Sequence, residues 1–272
     1  MTLEVSSLTY RYDKKLVLDG IDFSIREGEV IGILGPNGCG KTTLLKNLNK
    51  NLTPCGGCVM LDGEDIKDVI KKDIAKKVAV VPQTNEINFA FTVREIVAMG
   101  RIPFQNMLSG ESREDQRYID DAIEQTGLAH LVDRHINTMS GGERQRVIIA
   151  RAIAQTPQII LMDEPTLHLD ISMQFDALNL VHRLAKKNGL TVVIVSHDLP
   201  MVARYCDRIL MLHDHKIHAI GTPEEVLTPE NMKVVFNVDA ELQKDSKTGR
   251  NTVILHDSYT SSEYSELTPS KP

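Results

Sequence analysis

A glycine-rich segment at residues 35–43, the phosphate loop, carries the residue types that bind phosphate groups. It reads G-P-N-G-C-G-K-T-T and matches the pattern G-x-x-x-x-G-K-[ST] from Gly35 to Thr42. Its glycines allow turns that let successive N–H groups converge on phosphate oxygens. Lys41 can then reach the β- and γ-phosphates, and the Thr42 hydroxyl can ligate Mg²⁺. A glycine turn that matches by chance is the alternative interpretation.

Two carboxylates follow an apolar run at residues 159–164, I-I-L-M-D-E. Ligands of α/β sheets bind at the carboxyl ends of the strands, so Asp163 is expected near Mg²⁺ and Glu164 beside the attacking water, which it would polarise. The alternative is that Asp163 caps a turn and Glu164 is solvated. His197 ends a similar run and could contact the γ-phosphate and hold Glu164 and the water in place; a structural histidine is the alternative.

The elements that position these residues follow an α/β pattern. Glu29–Leu34 is almost wholly apolar and predicts a strand buried on both faces, followed by the glycine turn and the helix Lys41–Leu48. Central strands are also predicted at Ile159–Met162 and Thr191–Val195, separated by the helix Ser172–Lys187. Further strands are predicted at Leu3–Tyr10, Asp22–Ile25, Val59–Leu61, Val78–Val81, Arg208–Leu212 and Lys216–Gly221, the last two as an antiparallel pair, with short closing helices at Pro223–Leu227 and Glu230–Phe236.

The segment 84–158 differs in character from the rest. It contains no lysine, and helical periods dominate at Val93–Met99, Arg113–Thr126 and Glu143–Ala154. We therefore predict a helical subdomain at 84–158, inserted into a core formed by 1–83 and 159–257 that includes an N-terminal antiparallel β subdomain. Residues 258–272 are rich in Ser, Thr, Glu and Pro and predict a flexible tail.

Composition excludes several classes of protein. With 42% apolar and 25% charged residues, the 272-residue chain is not disordered throughout, and its apolar runs fall far short of the about 20 residues of a membrane span. A net charge of −6 disfavours nucleic acid as a partner. Four cysteines make no disulfide scaffold, and the first residues do not form a signal peptide, so we expect a cytoplasmic location.

Residues 138–146, T-M-S-G-G-E-R-Q-R, resemble the L-S-G-G-Q signature of the ATP-binding-cassette (ABC) family. Ser140, Gly141 and Gly142 would open a helix whose N-terminus attracts an anion. Glu143 replaces the usual glutamine. It would repel a phosphate unless it points away or pairs with an arginine, for which Arg144 and Arg146 are the candidates.

The resemblance, which covers roughly residues 2–240, implies further roles for individual residues. Gln83, in V-V-P-Q, matches the glutamine that links Mg²⁺ and the attacking water to the helical subdomain. Asp170, in L-H-L-D, matches the aspartate at the dimer interface, where His168 replaces a residue that is often small. Tyr12 matches the aromatic residue that stacks on the adenine of ATP, with Tyr10 as the alternative.

The resemblance also implies the kind of molecular machine. The signature of one copy completes the ATP site of a second copy, so a head-to-tail dimer with two sandwiched ATP molecules is expected, and a separate permease would span the membrane. Local sequence at Thr92–Pro103, Tyr205–Ile209 and Gly221–Leu227 resembles importer ATPases for iron-siderophore complexes, haem and cobalamin. Such a subunit would lie at the cytoplasmic face of the membrane and serve a substrate-binding protein indirectly. The alternatives are import of another substrate such as a metal ion, or a cassette ATPase outside transport.

Two smaller features allow more than one interpretation. Phe89 and Phe91 lie beside Gln83, where the family forms a groove for the permease's coupling helix, although they could equally fill the core. Cys55 and Cys58 have C-x-x-C spacing, for which we favour a hairpin turn over a redox or metal site. Cys39 lies inside the phosphate loop, so ATP is expected to block its alkylation.

Overall fold

The strands of the computed structural model, which describes residues 3–83, 89–105 and 110–256, form two larger sheets and a hairpin. In chain order they are β1 (Leu3–Tyr12), β2 (Lys15–Ile25), β3 (Val30–Leu34), β4 (Gly56–Leu61), β5 (Glu64–Asp65), β6 (Val78–Val81), β7 (Ile159–Asp163), β8 (Thr191–Val195), β9 (Arg208–His213), β10 (Lys216–Gly221), β11 (Asp239–Lys244) and β12 (Asn251–His256).

The helices pack on both faces of the larger sheet and in the segment between β6 and β7. They are α1 (Lys41–Leu48), α2 (Lys71–Lys77), α3 (Val93–Ala98), α4 (Arg113–Gln125), α5 (Gly141–Ala154), α6 (Ile171–Asn188), α7 (Leu199–Tyr205), α8 (Pro223–Val226) and α9 (Pro229–Phe236). Short 3-10 turns occupy Met99–Phe104, Ala129–Leu131 and Ile136–Thr138. In the described part of the chain, no helix is both long and apolar enough to cross a membrane.

The six-stranded sheet has the order β10-β9-β3-β8-β7-β6, and all its pairs are parallel except β10 with β9. Strands β3, β7 and β8 are buried along their whole length, as expected where helices or a second sheet cover both faces. Ile33 pairs with Val195, and Asp163 pairs with Val195 from the other side. The three strands therefore end at the same level.

A four-stranded antiparallel sheet, of order β2-β1-β4-β5, covers one side of this core. Leu3 pairs with both Ile25 and Leu61, and inward residues of these strands share a core with Ile31, Ile33 and Leu44. The mixed α/β fold with an N-terminal antiparallel sheet agrees with the sequence prediction.

The prediction of a hairpin turn at the C-x-x-C segment is wrong, because this segment forms the beginning of strand β4. Gly56, Gly57 and Cys58 belong to β4, and Cys58 pairs with Ser6 of β1. Gly57 has a φ of 73°, and a Cβ there would lie 2.2 Å from the Ser6 carbonyl oxygen, so only glycine fits. Cys55 and Cys58 are both free thiols, and no cluster of three or more metal-binding side chains occurs among the described residues.

Helices α3, α4 and α5 pack against one another around a buried arginine. Arg101 donates to Asp115 (Nε to Oδ1, 2.8 Å) and to the Ala154 carbonyl oxygen (2.9 Å), and its guanidinium lies 3.9 Å from the ring centre of Phe104. At Gly100, a Cβ would lie 2.2 Å from the carbonyl oxygen of Arg151. The turn after α3 is therefore held closely against the end of α5.

Several elements were not predicted from the sequence. Helix α2 has a single buried apolar residue, Ile74, so it lacks a helical period. Helix α7 begins at an Asp198 N-cap, whose side chain accepts from the Met201 N–H, and has Pro200 in its first turn. The hairpin of β11 and β12 was also missed. The tail predicted at 258–272 lies outside the described residues.

Candidate functional site

Four neighbouring parallel strands deliver the predicted site residues to one edge of the sheet. Strand β3 leads into the phosphate loop, β8 leads to His197, β7 ends at Asp163 with Glu164 next in the chain, and β6 is followed by Gln83. Because the strands are parallel and adjacent, their carboxyl ends form one crevice. Residues more than 100 positions apart in the sequence therefore meet.

The glycines of the phosphate loop allow the backbone to approach its surroundings closely. Gly35 has a φ of 151°, and a Cβ there would lie 2.4 Å from the Leu212 carbonyl oxygen and 2.7 Å from Cys39 Sγ. At Gly40 (φ 106°), a Cβ would lie 2.9 Å from the Val17 carbonyl oxygen. Cys39 is itself buried, and that burial raises the pKa of its thiol. The loop is thus held against β2 and β9.

Lys41 begins helix α1 and is only 7% exposed. Its ammonium donates to the carbonyl oxygens of Gly35 (2.8 Å) and Pro36 (3.1 Å), across the mouth of the loop. The residue before the helix, Gly40, has no side chain to cap the first N–H groups. Uncapped N–H groups, a helix dipole and a buried ammonium together make an anion site.

Thr42 and Asp163 bring two hard oxygen ligands together. The Thr42 hydroxyl donates to Asp163 Oδ1 at 3.2 Å, joining α1 to the end of β7. Burial raises the pKa of Asp163, although the hydrogen bond from Thr42 and the charges of Lys46 and Lys41 oppose that rise. A buried carboxylate beside a hydroxyl is a donor set that suits Mg²⁺, which prefers oxygen ligands.

Glu164 and His197 form the shortest side-chain pair of the crevice. His197 Nδ1 lies 2.6 Å from Glu164 Oε2, and the Glu164 side chain is 10% exposed whereas that of His197 is 57% exposed. Glu164 has a φ of 48°, unusual for a residue with a Cβ, and its N–H donates to the Val195 carbonyl oxygen at 2.9 Å. Such backbone strain persists where surrounding contacts over-determine it, often at active sites.

A cleft of about 330 Å³ joins the phosphate loop to Glu164. Tyr12 lines this cleft and is 44% exposed, whereas Tyr10 packs partly into the β-sheet core with its ring edge-on to Tyr12 at 5.0 Å. The cleft lining thus contains Tyr12 and leaves out Tyr10. Lys15 and Val17 of β2 also line it, and sequence reasoning missed them because no local motif marks them. The described lining residues are Tyr12, Lys15, Val17, Asn37, Gly38, Gly40, Lys41, Thr42, Thr43, Gln83 and Glu164.

The signature loop, residues 139–143, lies outside the described lining of that cleft. Met139 is buried in the helical core, and Ser140 is the N-cap of α5. The Ser140 hydroxyl accepts from the Glu143 N–H (3.3 Å), while Glu143 Oε2 accepts from both the N–H and the hydroxyl of Ser140 at 2.8 Å. This reciprocal capping box fixes the start of α5.

The predicted arginine partners of Glu143 are wrong. Arg144 donates to the carbonyl oxygens of Met139 and Asn137, and Arg146 pairs with Asp176 of α6 at 3.2 Å. The cation beside Glu143 is Arg134, with its Nη1 3.6 Å from Oε1. Sequence reasoning missed Arg134 because it lies nine positions away, beyond the turn that folds back on α5.

Helix α6 closely approaches the signature glycines. A Cβ at Gly142 would lie 2.7 Å from Met173 Sδ, and one at Gly141 would lie 3.4 Å from Leu169. Leu169 immediately precedes Asp170, the exposed N-cap residue of α6, whose side chain makes no cap hydrogen bond. The turn from Glu164 to Asp170 therefore connects the crevice with the signature loop.

The two phenylalanines beside Gln83 have different environments. Phe91 packs against the helical core, whereas Phe89 is 71% exposed, and their ring centres are 6.0 Å apart. Ile102, in the turn after α3, is also exposed. Of the predicted groove, residues 85–88 lie outside the described residues.

Comparison with known proteins identifies the family. A family model described as "ABC transporter" matches residues 18–167. The cobalamin import ATP-binding protein of Halobacterium salinarum is 39% identical over 93% of this chain, which spans only 63% of that relative. The iron(3+)-hydroxamate import ATP-binding protein of Bacillus subtilis is 39% identical over 94% of this chain and 95% of its own length. The hemin import ATP-binding protein of Pseudomonas aeruginosa is 40% identical over 93% of this chain and 99% of its own.

Solved structures agree with this assignment. An inward-facing structure of a putative metal-chelate type ABC transporter aligns with a TM-score of 0.83 and 28% identity, covering 94% of this chain and 98% of that one. A dimeric ATP-binding cassette in a post-hydrolysis state, bound to ADP and phosphate, aligns with a TM-score of 0.69 and 30% identity, covering 81% and 98%. The matched range of the family model spans both the phosphate loop and the signature loop, and the chain belongs to the ABC transporter family.

Proposed function

We propose that this chain is the ATP-hydrolysing subunit of an importer that takes up an iron chelate (siderophore), haem or cobalamin through a separate permease. The observation that carries the ATPase assignment is the crevice in which Lys41, Thr42, Asp163, Glu164 and His197 converge from three strands. The substrate classes rest on the relatives, which are import proteins for cobalamin, iron hydroxamate and hemin.

Binding of the triphosphate uses groups already oriented toward it. The N–H groups of the phosphate loop and the first turn of α1 receive phosphate oxygens, and Tyr12 stacks on the adenine. Lys41 now donates to two backbone carbonyl oxygens, and phosphate oxygens would replace these as stronger, charged acceptors. The β-sheet wall of the cleft, with Lys15 and Val17, shields one side of the nucleotide.

The residues present also suit a magnesium ion. The Thr42 hydroxyl and the Asp163 carboxylate would hold it, and Gln83, which lines the same cleft, would contact it from the end of β6. Bound there, Mg²⁺ would neutralise charge on the phosphate oxygens. Asp163 would bind it as a carboxylate, and because burial raises the pKa of this group, a cation partner would favour its charged form.

Hydrolysis is assigned to Glu164. Its carboxylate accepts a proton from water as the water oxygen attacks the γ-phosphorus, and the bond to the β-phosphate oxygen breaks to leave ADP and phosphate. His197, at 2.6 Å, would hold the carboxylate in one orientation. The carboxylate is nearly buried and so is largely shielded from bulk water, whereas the His197 ring is exposed.

A second copy of the chain would complete each site. The signature loop carries exposed Ser140 and Gly141 away from its own cleft, so a facing copy can present these N–H groups to the γ-phosphate. Asp170 lies at the adjoining surface. The dimeric cassette with bound ADP and phosphate supports the formation of a dimer.

The permease would bind near Phe89 and Ile102, both exposed beside the helical segment. We propose that residues 84–158 act as the helical signature subdomain on a core of 1–83 and 159–257, and that the subunit lies at the cytoplasmic face of the membrane. A substrate-binding protein would act through the permease. Close packing among α3, α4 and α5 supports a distinct helical unit.

Uptake by vesicles tests the proposal directly. The chain would be co-expressed with the permease genes beside its own gene, purified as a complex and reconstituted. ATP-dependent uptake of a ferric hydroxamate, haem or cobalamin is expected, with the Glu164→Gln complex as the inactive control. Uptake of none of the three, in a complex that hydrolyses ATP, would overturn the substrate assignment. A complex without ATPase activity would overturn the enzymatic one.

A further inference from the structure

The carboxylate of Glu143 occupies the hydrogen-bond donors that the proposed function assigns to a phosphate. Its Oε2 accepts both the N–H and the hydroxyl of Ser140 at 2.8 Å. These hydrogen bonds, together with the nearby charges of Arg134 and His130, hold the pKa of Glu143 below its ordinary value, so the group is ionised at neutral pH. A phosphate that approaches Ser140 therefore meets a full negative charge.

Arg134 is fixed beside this carboxylate. Its Nη1 lies 3.6 Å from Glu143 Oε1. Its Nη2 donates to the Thr138 carbonyl oxygen at 2.6 Å, and its Nε donates to the Thr138 hydroxyl at 3.3 Å. Thr138, just before the signature loop, thus holds the guanidinium in place, and the position of the positive charge beside Glu143 is fixed.

Other arginines nearby are engaged elsewhere. Arg144 donates to carbonyl oxygens of residues 137 and 139, and Arg146 pairs with Asp176. Among the described residues, Arg134 is the arginine in ion-pair contact with Glu143. A neutral glutamine at position 143 could make the same capping box without the charge, so the need for a cation comes from the glutamate.

We propose that Arg134 is a positioning residue for ATP-driven dimer closure. Arg134 neutralises the charge of Glu143, so that the N–H and hydroxyl of Ser140 can donate to the γ-phosphate of an ATP bound by a second copy. This inference rests on the proposed function. Arg134 acts through Glu143 and makes no contact with the nucleotide itself. Its effect should therefore depend on the charge at position 143.

A double-mutant cycle in the Glu164→Gln background tests this coupling. The measured quantity is the ATP concentration that gives half-maximal dimer in sedimentation velocity. Glu143→Gln should lower that concentration about three- to tenfold, because a repulsive unit charge at roughly 5 Å is removed. Arg134→Gln should raise it by a similar factor when Glu143 is present, and by less than about twofold when residue 143 is glutamine.

Two further variants separate charge from structure. Arg134→Lys keeps the charge but loses the forked bonds to Thr138, and it should keep closure within about twofold of the parent because the charge carries the effect. Arg146→Gln removes an arginine of α5, the helix that carries Glu143, but this arginine pairs with Asp176, so closure should be unchanged. Binding of a fluorescent ATP analogue to the monomer should be the same in every variant, since the signature loop does not line its own cleft.

The outcomes distinguish a failure of this inference from a failure of the proposed function on which it rests. If the parent dimerises with ATP but Arg134→Gln has the same effect with glutamate or glutamine at position 143, the inference is overturned and the shared-site mechanism stands. Failure of Arg134→Lys to rescue closure would likewise overturn it, because the role would then be to hold the loop. If the parent forms no dimer with ATP, both the shared-site mechanism and this inference fail.

Discussion

Replacement of Glu164 by glutamine should separate ATP binding from hydrolysis. The amide has the size and shape of the carboxylate and can still bond to His197, so the strained backbone at φ 48° should persist. What is lost is the group that accepts a proton from water. Lys41, Thr42 and Tyr12 are untouched, so nucleotide should still bind.

The expected loss can be estimated from the role and the geometry. A positioned general base contributes about 10²- to 10⁴-fold in rate, or roughly 3–5 kcal/mol of barrier. His197→Ala removes a hydrogen bond to a charged, nearly buried carboxylate and should lower kcat by about 10- to 100-fold. Because His197 acts through Glu164, adding His197→Ala to the Glu164→Gln variant should cost less than about threefold more.

The assay is release of phosphate in single turnover, together with affinity for a fluorescent ATP analogue. Glu164→Gln should keep the affinity within about threefold of the unmodified chain and should accumulate an ATP-bound dimer. Asp198→Asn, one residue after His197 and part of the α7 cap, serves as a control for disturbance of this loop. A Glu164→Gln variant that hydrolyses ATP at the unmodified rate would refute the catalytic assignment, and fully additive losses would refute the His197–Glu164 linkage.

Three further changes follow from the contacts of single residues. Lys41→Ala should weaken ATP binding about 10- to 100-fold in a fluorescence titration, because charged hydrogen bonds to phosphate contribute about 1.5–3 kcal/mol each; an unchanged affinity would contradict the anion site. Arg101→Met leaves the buried Asp115 carboxylate without its cationic partner. It should lower the free energy of unfolding, measured in urea at pH 7, by about 3–5 kcal/mol, and a loss below about 1 kcal/mol would mean that the ion pair contributes little. Iodoacetamide should alkylate the exposed Cys55 well before the buried Cys39, whose thiol has a raised pKa, even without ATP. Mass spectrometry measures the two rates, and equal rates would show that the phosphate loop opens.

The Arg101–Asp115 pair also predicts a pH dependence. Burial raises the pKa of Asp115, but the hydrogen bonds from Arg101 and Ser112 outweigh it and leave the pKa below its ordinary value. The carboxylate therefore stabilises the fold above the unfolded-state pKa of about 3.9, and this contribution is lost as the pH falls through the lower, folded-state value. Acid titration of stability should show a smaller loss in Asp115→Asn than in the unmodified chain, because other carboxylates with lowered pKa values, such as Asp65 and Glu95, still contribute in both.

Much of the site could be predicted because its motifs are local. The phosphate loop needs glycine at positions where the structure has φ values of 151° and 106°, and the apolar run before it is buried throughout β3. The signature loop is likewise local, since Ser140 and Glu143 cap the same helix turn. Helix α2 was missed because it has a single buried apolar residue. The hairpin of β11 and β12 was missed because β11 is mostly polar and β12 packs against the distant helix α7.

The sequence by itself determined the chemistry at each strand end, because backbone conformation and capping are decided within a few residues. Only the tertiary structure decided which of these ends meet and what each charged group pairs with. Strand order placed His197 2.6 Å from Glu164, and the turn before the signature loop brought Arg134, not Arg144 or Arg146, to Glu143. Such partners depend on how distant elements pack, which no local pattern of residues encodes.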